Sequence, residues 1–263
     1  MRMGIIGLGI VGSAIQFGME YLGHEVKVHD IKLRTKLKQV LESDVCFLCV
    51  PTPKKDNGDC ETSIVEGVIF DLINNNYEGI ICIKSTVTIG TTQSLIEKYN
   101  NNLICFSPEF LRERNAKNDF TENQDLLVIG SENNDVFNKI KECHGHLPKK
   151  TVQLTPTEAE ACKYMNNALG ATLVTFANSF YKICQKYGVN YTNIQQAMMN
   201  REFFPKSYLT CNDRWLGWRG PCWVKDIPAL SKMSEGTDVE FFKHLIDENE
   251  KCKQTVPEGM RFE

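Results

Sequence analysis

A strand-length apolar run from Met3 to Gly7 passes directly into Gly7-Leu8-Gly9-Ile10-Val11-Gly12, and an amphipathic segment from Val11 to about Leu22 follows. Three glycines at this spacing, between a strand and a helix, leave few folds open. Gly7 permits the tight turn, Gly9 lets another group approach the backbone, and Gly12 lets the helix pack close to the strand. The unpaired N–H groups and dipole of a helix N-terminus attract anions, so Gly7, Gly9, Ile10, Val11 and Gly12 are expected to hold a dinucleotide pyrophosphate. A second strand, Glu25 to His29, ends in Asp30. An acid there accepts hydrogen bonds from both adenosine ribose hydroxyls and repels a 2′-phosphate, which favours NAD. Lys32 and Arg34 nearby keep NADP as the alternative.

The alternation continues with predicted strands at Val45 to Val50, Ile80 to Lys84, Leu103 to Ser107 and Leu126 to Gly130. The fold class is therefore α/β, a Rossmann-like doubly wound parallel sheet. Such sheets bind ligands at the carboxyl ends of their strands. Val50-Pro51-Thr52-Pro53, Lys84-Ser85-Thr86-Val87 and Ser107-Pro108-Glu109-Phe110-Leu111-Arg112-Glu113 should then line one cleft. Beyond about residue 150 the pattern turns helical. Thr155 reads as an N-cap and Pro156 as the first helical residue, and the segment runs to Tyr187, about 45 Å at 1.5 Å per residue. A last helical region, Ile227 to Lys253, is interrupted near Gly236 and ends before Pro257. The expected domains are residues 1–150, binding NAD, and 151–263, a smaller all-helical domain with a long central helix.

Near the C-terminal end, Gly217-Trp218-Arg219-Gly220-Pro221-Cys222-Trp223-Val224-Lys225-Asp226 sets a cysteine after a glycine turn, with a cation and an anion just beyond. A neighbouring lysine or a helix N-terminus favours the thiolate, the useful nucleophile. A reactive thiol beside a nicotinamide suggests oxidation at the aldehyde level through a covalent intermediate. The other ten of the 11 cysteines read as structural. Cys46 and Cys49 lie in a strand-like run and should point to opposite faces. Cys143, His144 and His146 lack a second ligand cluster at zinc spacing, so no metal is expected. A net charge of -3 without a basic run argues against nucleic acid, and the apolar runs are too short for a membrane span. With an odd cysteine count and no recognisable leader, a reducing, cytoplasmic setting is expected.

Together the glycine loop, the three strand-end motifs, Glu158-Ala159-Glu160-Ala161-Cys162-Lys163 with Asn166-Asn167, and Cys222 with Lys225-Asp226 resemble the UDP-glucose/GDP-mannose 6-dehydrogenase family. These enzymes take a nucleotide sugar to its uronic acid in two NAD-dependent oxidations. The resemblance implies that Cys222 is the nucleophile, Asp226 and Lys163 handle protons and charge, and Asn167 donates to the oxyanion. Thr86 and Glu113 would position water, with Glu109 beside them. It further implies cofactor contacts by Pro51, Thr52, Thr86, Glu113 and Lys225, and substrate contacts by Phe110, Leu111, Arg112, Lys163, Asn167, Lys206, Tyr208 and Arg219. Spacing supports part of this independently. Lys163 and Asn167 are four apart on one helix and project from one face; Glu109 and Glu113 would do the same in a helical segment. Asp226 is expected to pair with Lys163.

Two features depart from the family. Arg219 and Pro221 occupy a turn that is usually glycine-rich before the nucleophile. The family also carries a third, C-terminal domain that holds much of the nucleotide sugar, and this sequence stops short of it. A separate subunit, a dimer mate joined through the long central helix, or a substrate with a smaller handle would make up the difference. Two other readings compete: a two-domain β-hydroxyacid-type dehydrogenase, which needs no thiol, and a non-catalytic NAD-binding relative.

Overall fold

Successive side chains of a strand point to opposite faces, so an unbroken apolar run asks for cover on both sides of the sheet. The computed structural model describes residues 1–252. Strand β1 (Arg2–Ile6) is followed by α1 (Ile10–Tyr21), β2 (Glu25–His29), β3 (Val45–Leu48), α2 (Ser63–Asn74), β4 (Ile80–Ile83), α3 (Thr91–Tyr99) and β5 (Ile104–Phe106). Then come α4 (Ala116–Thr121), β6 (Leu126–Gly130), α5 (Asn134–His144) and β7 (Lys150–Leu154). The seven strands form one sheet in the order β2-β1-β3-β4-β5-β6-β7.

Met3, Ile5, Val45, Phe47, Cys82, Cys105, Leu127 and Ile129 face one buried cluster, covered by Ile15 and Met19 of α1 and Val136 and Ile140 of α5. Their neighbours Ile6, Cys46, Leu48, Ile81, Ile83, Ile104, Phe106 and Val128 face the other, covered by Val65, Ile69 and Leu72 of α2 and Leu95 of α3. A sheet buried on both sides needs apolar residues at successive positions, which is why its strands read as unbroken runs. Cys46 belongs to the second cluster while Cys49 packs against the first, as the spacing of three predicts.

The sheet is parallel throughout except that β5 meets β6 antiparallel, through Phe106 and Gly130. Strand β7 was not foreseen. Its half-buried Lys-Thr-Val-Gln-Leu run mixes charge with apolar residues and reads weakly, and it is held by parallel pairing with β6.

The helical part begins with α6 (Pro156–Tyr187), then α7 (Tyr191–Met198), α8 (Trp223–Met233) and α9 (Phe241–Lys251). Thr155 starts α6 with a capping box. Its N–H and hydroxyl donate to Glu158 Oε2 at 2.9 and 2.8 Å, and Glu158 N donates back to Thr155 Oγ1 at 3.3 Å. The expected C-terminal helical region resolves into α8 and α9, separated at Ser234–Glu240 by a turn containing Gly236 at φ +83°. Lys253 and Pro257 lie outside the described residues. Compactness divides the chain into two units, Met1–Pro53 with Glu61–Lys163, and Lys54–Cys60 with the residues from Tyr164 onward. The division falls within α6. No described helix is long and apolar enough to cross a membrane.

Candidate active site and cofactor loop

In the first unit the glycine loop is built as its spacing demands. Gly7 adopts φ +90°, and a Cβ there would lie 2.6 Å from the Cys49 carbonyl oxygen. A Cβ on Gly12 would meet the Gly7 carbonyl oxygen at 2.0 Å, so the first turn of α1 can lie on the loop only with hydrogen at that position. Gly9 is different: a Cβ there would meet nothing within 4 Å of the protein. It caps α1 without a side chain and lines an open cavity of about 660 Å³ with Ile10, Ser13, Ala14 and the segment Glu113–Asn118. A bare backbone facing space at a helix N-terminus fits a pyrophosphate.

Asp30 follows β2 and ties the loop down. Its Oδ2 accepts from Leu8 N at 2.7 Å and its Oδ1 from Lys32 N at 2.7 Å. The Leu8 hydrogen bond is the main reason its pKa lies below the usual carboxylate value, so the group is ionised when a ribose approaches. Each carboxylate oxygen has a second lone pair for a ligand hydroxyl.

The carboxyl ends of β3, β4 and β5 are joined by buried polar groups. Ser85 Oγ donates to Val50 O at 2.7 Å and contacts Leu48 O at 3.2 Å. The ammonium of Lys84, itself buried, donates to Ser107 Oγ at 3.1 Å and Pro108 O at 3.3 Å. Burial lowers its pKa. Thr52 and Thr86 are buried nearby in sequence, and Pro51 is exposed. Lys163 donates to the Glu109 carbonyl at 2.6 Å and pairs with Glu109 Oε1 at 3.1 Å, while Glu109 Oε2 accepts from Leu111 N at 2.8 Å. Its ammonium lies 6.0 Å from the Phe110 ring centre.

Arg112 closes a loop on itself. Its N–H, Nε and Nη2 donate to the Asp119 carboxylate at 2.8, 3.0 and 2.7 Å. Glu109 and Glu113 do not share a helical face, because residues 107–112 are irregular and only a short 3-10 turn spans Glu113–Asn115. The proline at 108 and the backbone bonds to Glu109 and Asp119 hold the segment out of a helix.

In the second unit Cys222 is the N-cap of α8, half-buried, and its carbonyl accepts from Asp226 N at 2.9 Å. Asp226 is buried, with Oδ1 accepting from Lys225 Nζ at 2.6 Å and Oδ2 from Asn167 Nδ2 at 2.6 Å. Within the second unit Asp226 pairs with adjacent Lys225, and within the first Lys163 pairs with Glu109. Burial pulls the Lys225 pKa down. The Asp226 charge and hydrogen bond, with Cys60 and Cys222 nearby, more than reverse this and leave it above the ordinary lysine value.

The turn before Cys222 is anchored by groups the sequence reading missed. Trp218 N donates to Asn249 Oδ1 at 2.9 Å, Asn249 Nδ2 donates to Trp218 O at 3.3 Å, and the Trp218 indole donates to Thr175 Oγ1 at 3.0 Å. Trp223 lies against Gly170 of α6, where a Cβ would come within 2.6 Å of its ring. Tyr208 packs on Trp223 with ring centres 5.4 Å apart. Lys206 donates to Arg201 O at 2.9 Å and to Met199 O, closing the end of α7, and Arg219 is half-buried in the turn. No local pattern marks Asn249 beforehand, because its partner Trp218 is remote in sequence.

A glycine loop with an ionised acid at the next strand end, on a doubly wound sheet followed by a helical unit, defines a nicotinamide-dependent dehydrogenase. Two family models match, the NAD binding domain of the UDP-glucose/GDP-mannose dehydrogenase family over residues 31–147 and its central domain over 157–251. The chain belongs to the UDP-glucose/GDP-mannose dehydrogenase family. It is an NAD-dependent dehydrogenase acting on a nucleotide sugar.

A UDP-glucose 6-dehydrogenase of Rickettsia typhi is 28% identical, over 95% of this chain and 67% of its own. The structure of a GDP-mannose dehydrogenase from Pseudomonas aeruginosa, a ternary complex, superposes with a TM-score of 0.70 at 26% identity, covering 95% of this chain and 68% of that one. A UDP-glucose dehydrogenase from Pyrobaculum islandicum shares the fold with a TM-score of 0.84 at 23% identity, over 95% and 68% of the two chains.

Proposed function

We propose that this dehydrogenase oxidises the C6 alcohol of a UDP-glucose-like nucleotide sugar to the carboxylate, in two hydride transfers, through a thiohemiacetal and a thioester on Cys222. NAD, held by Gly7, Gly9, Ile10, Val11, Gly12 and Asp30, supplies the hydride acceptor for both oxidations. The Cys222 thiolate adds to the C6 aldehyde, forming a C–S bond and leaving charge on the former carbonyl oxygen. Lys163 and Asn167 are assigned to that oxygen, an interaction worth a few kcal/mol in a dry site. Loss of the second hydride leaves the thioester. Water directed by Thr86 and Glu113 then adds to it, and the C–S bond breaks with return of the thiolate. Asp226 takes the proton that this water releases. Glu109 orients Lys163, while Phe110, Leu111, Lys206, Tyr208 and Arg219 are assigned to the sugar nucleotide.

The observation that supports this reading best is Cys222 at the N-terminus of α8, one turn before a buried Asp226 held by both Lys225 and Asn167. A thiol at the positive end of a helix dipole is favoured as thiolate. Counting NADH against carboxylate formed tests it. Wild type yields two NADH per product, and Cys222→Ala stops at one or none. One NADH per product with Cys222→Ala unaffected would falsify the proposal.

We further propose a homodimer through α6. Met165, Leu169, Phe176, Phe180, Ile183 and Tyr187 are exposed at helical spacing along it, an apolar stripe of the kind that marks an interface. Phe176→Lys should shift the sedimenting species from dimer to monomer; a wild type that sediments as a monomer removes the idea.

A further inference from the structure

The glycine loop takes a doubly negative pyrophosphate, yet α1 carries no charged side chain in its first turn. Its backbone N–H groups provide only fractional positive charge. The compensating charge lies across the cavity. Glu113, Arg114 and Lys117 line the same 660 Å³ space as Gly9, Ile10 and Ser13.

Three observations fix where Arg114 stands. It sits in the short 3-10 turn Glu113–Asn115, immediately before α4. That turn is closed at its base by the Arg112–Asp119 clamp, which spans it from both ends. Helix α4 is locked to α1, because Gly18 leaves room for the Phe120 ring, which a Cβ would approach to 2.1 Å. The turn therefore holds a set position relative to the glycine loop. Lys117 has its ammonium 5.1 Å from the centre of the Phe17 ring. Arg114 is exposed on the cavity wall. Its planar guanidinium presents paired N–H donors that match two phosphate oxygens, which an ammonium cannot do. It also offsets the repulsion that the adjacent Glu113 carboxylate exerts on a phosphate in the same cavity.

We propose that Arg114 is a cofactor-binding residue that pairs with the pyrophosphate of the dinucleotide. The inference rests on the glycine loop being the dinucleotide site and adds a side-chain contact that the loop motif does not contain. The contact is electrostatic and bidentate, so it discriminates by phosphate content and weakens with salt.

Calorimetric titration of the full chain with ADP-ribose and with adenosine, at low and high salt, tests this for wild type, Arg114→Ala and Arg114→Lys. Arg114→Ala should weaken ADP-ribose about tenfold at low salt, the effect of losing one charge-assisted pair. Adenosine binding should not change, Arg114→Lys should fall between the other two, and the tenfold gap should shrink at high salt. Equal ADP-ribose affinity in wild type and Arg114→Ala overturns the proposal. So does an equal loss for adenosine, which would mean that the substitution acts through the shape of the turn. Thermal melting identifies a variant that fails to fold, and Arg114→Lys then carries the same comparison. Wild type that binds neither ADP-ribose nor NAD refutes the dinucleotide site itself, a result distinct from a silent Arg114.

Discussion

The glycine loop at residues 7–12 and the thiol turn at residues 217–222 are both short approaches to a helix N-terminus, yet they are held in place by opposite means. The loop is shaped by what its residues lack: Gly7 and Gly12 are glycine because backbone oxygens occupy the space where a Cβ would be. The turn is shaped by what its residues reach: Trp218 is fastened by Asn249 and Thr175, and Trp223 by the gap at Gly170. A segment positioned by backbone contacts carries its requirement at fixed local spacing. One positioned by side chains can exchange glycines for Arg219 and Pro221 while remote anchors keep the cysteine at the helix start.

The comparison breaks most visibly at the loop. Gly12→Ala forces a methyl onto the Gly7 carbonyl, and a backbone atom cannot yield cheaply. A loss of about 3 kcal/mol in unfolding free energy is expected, measured by denaturant titration. Gly9→Ala is the counterpart. It should cost no more than about 1 kcal/mol as a changed cap, while dinucleotide affinity falls about tenfold or more because the methyl enters the cavity. Similar stability losses for both substitutions would refute the separate tasks assigned to the two glycines.

At the turn, Asn249→Ala leaves the Trp218 N–H and carbonyl buried without this partner. Stability should drop by about 2 kcal/mol, and the rate of Cys222 alkylation by iodoacetamide should change with it. Lowered stability with an unchanged alkylation profile across pH would show that the cysteine is placed independently of the clamp.

The smallest effect concerns the Arg112–Asp119 clamp. Burial pushes the Asp119 pKa up, and the Arg112 hydrogen bonds and charge more than reverse it, so the folded-state value is below the ordinary 3.8. Its stabilising contribution is then fully present above the unfolded value and is lost as pH falls through the lowered one. The melting temperature of wild type should exceed that of Asp119→Asn at neutral pH, and the gap should close as the pH drops below about 4. A gap that stays constant to low pH would show that Asp119 contributes by packing alone.

Most of the sheet was legible. Apolar or alternating runs between turn residues located β1 to β6, the strand–glycine–helix passage located the glycine loop, and Thr155-Pro156-Thr157-Glu158 announced a long helix that begins with its capping box. Strand β7 was missed because its side chains alternate weakly, and its existence depends on pairing with β6. The bonds among the candidate site residues were not legible. Lys163 and Asp226 are both buried, Lys163 paired with Glu109, and Asp226 with Lys225 and Asn167.

The sequence by itself determined what depends on local geometry: where glycine is sterically required, where a helix is capped, and which faces of a strand are apolar. Those constraints act over a few residues and leave a periodic trace. Only the tertiary structure decided which charges neutralise one another, why Lys84 is buried beneath Ser107 and Pro108, how Asn249 holds the Trp218 turn, and that Arg114 lines the cavity of the glycine loop. These pairings follow from distance in space, and Coulomb and hydrogen-bond energies fall off too steeply for separation along the chain to reveal them.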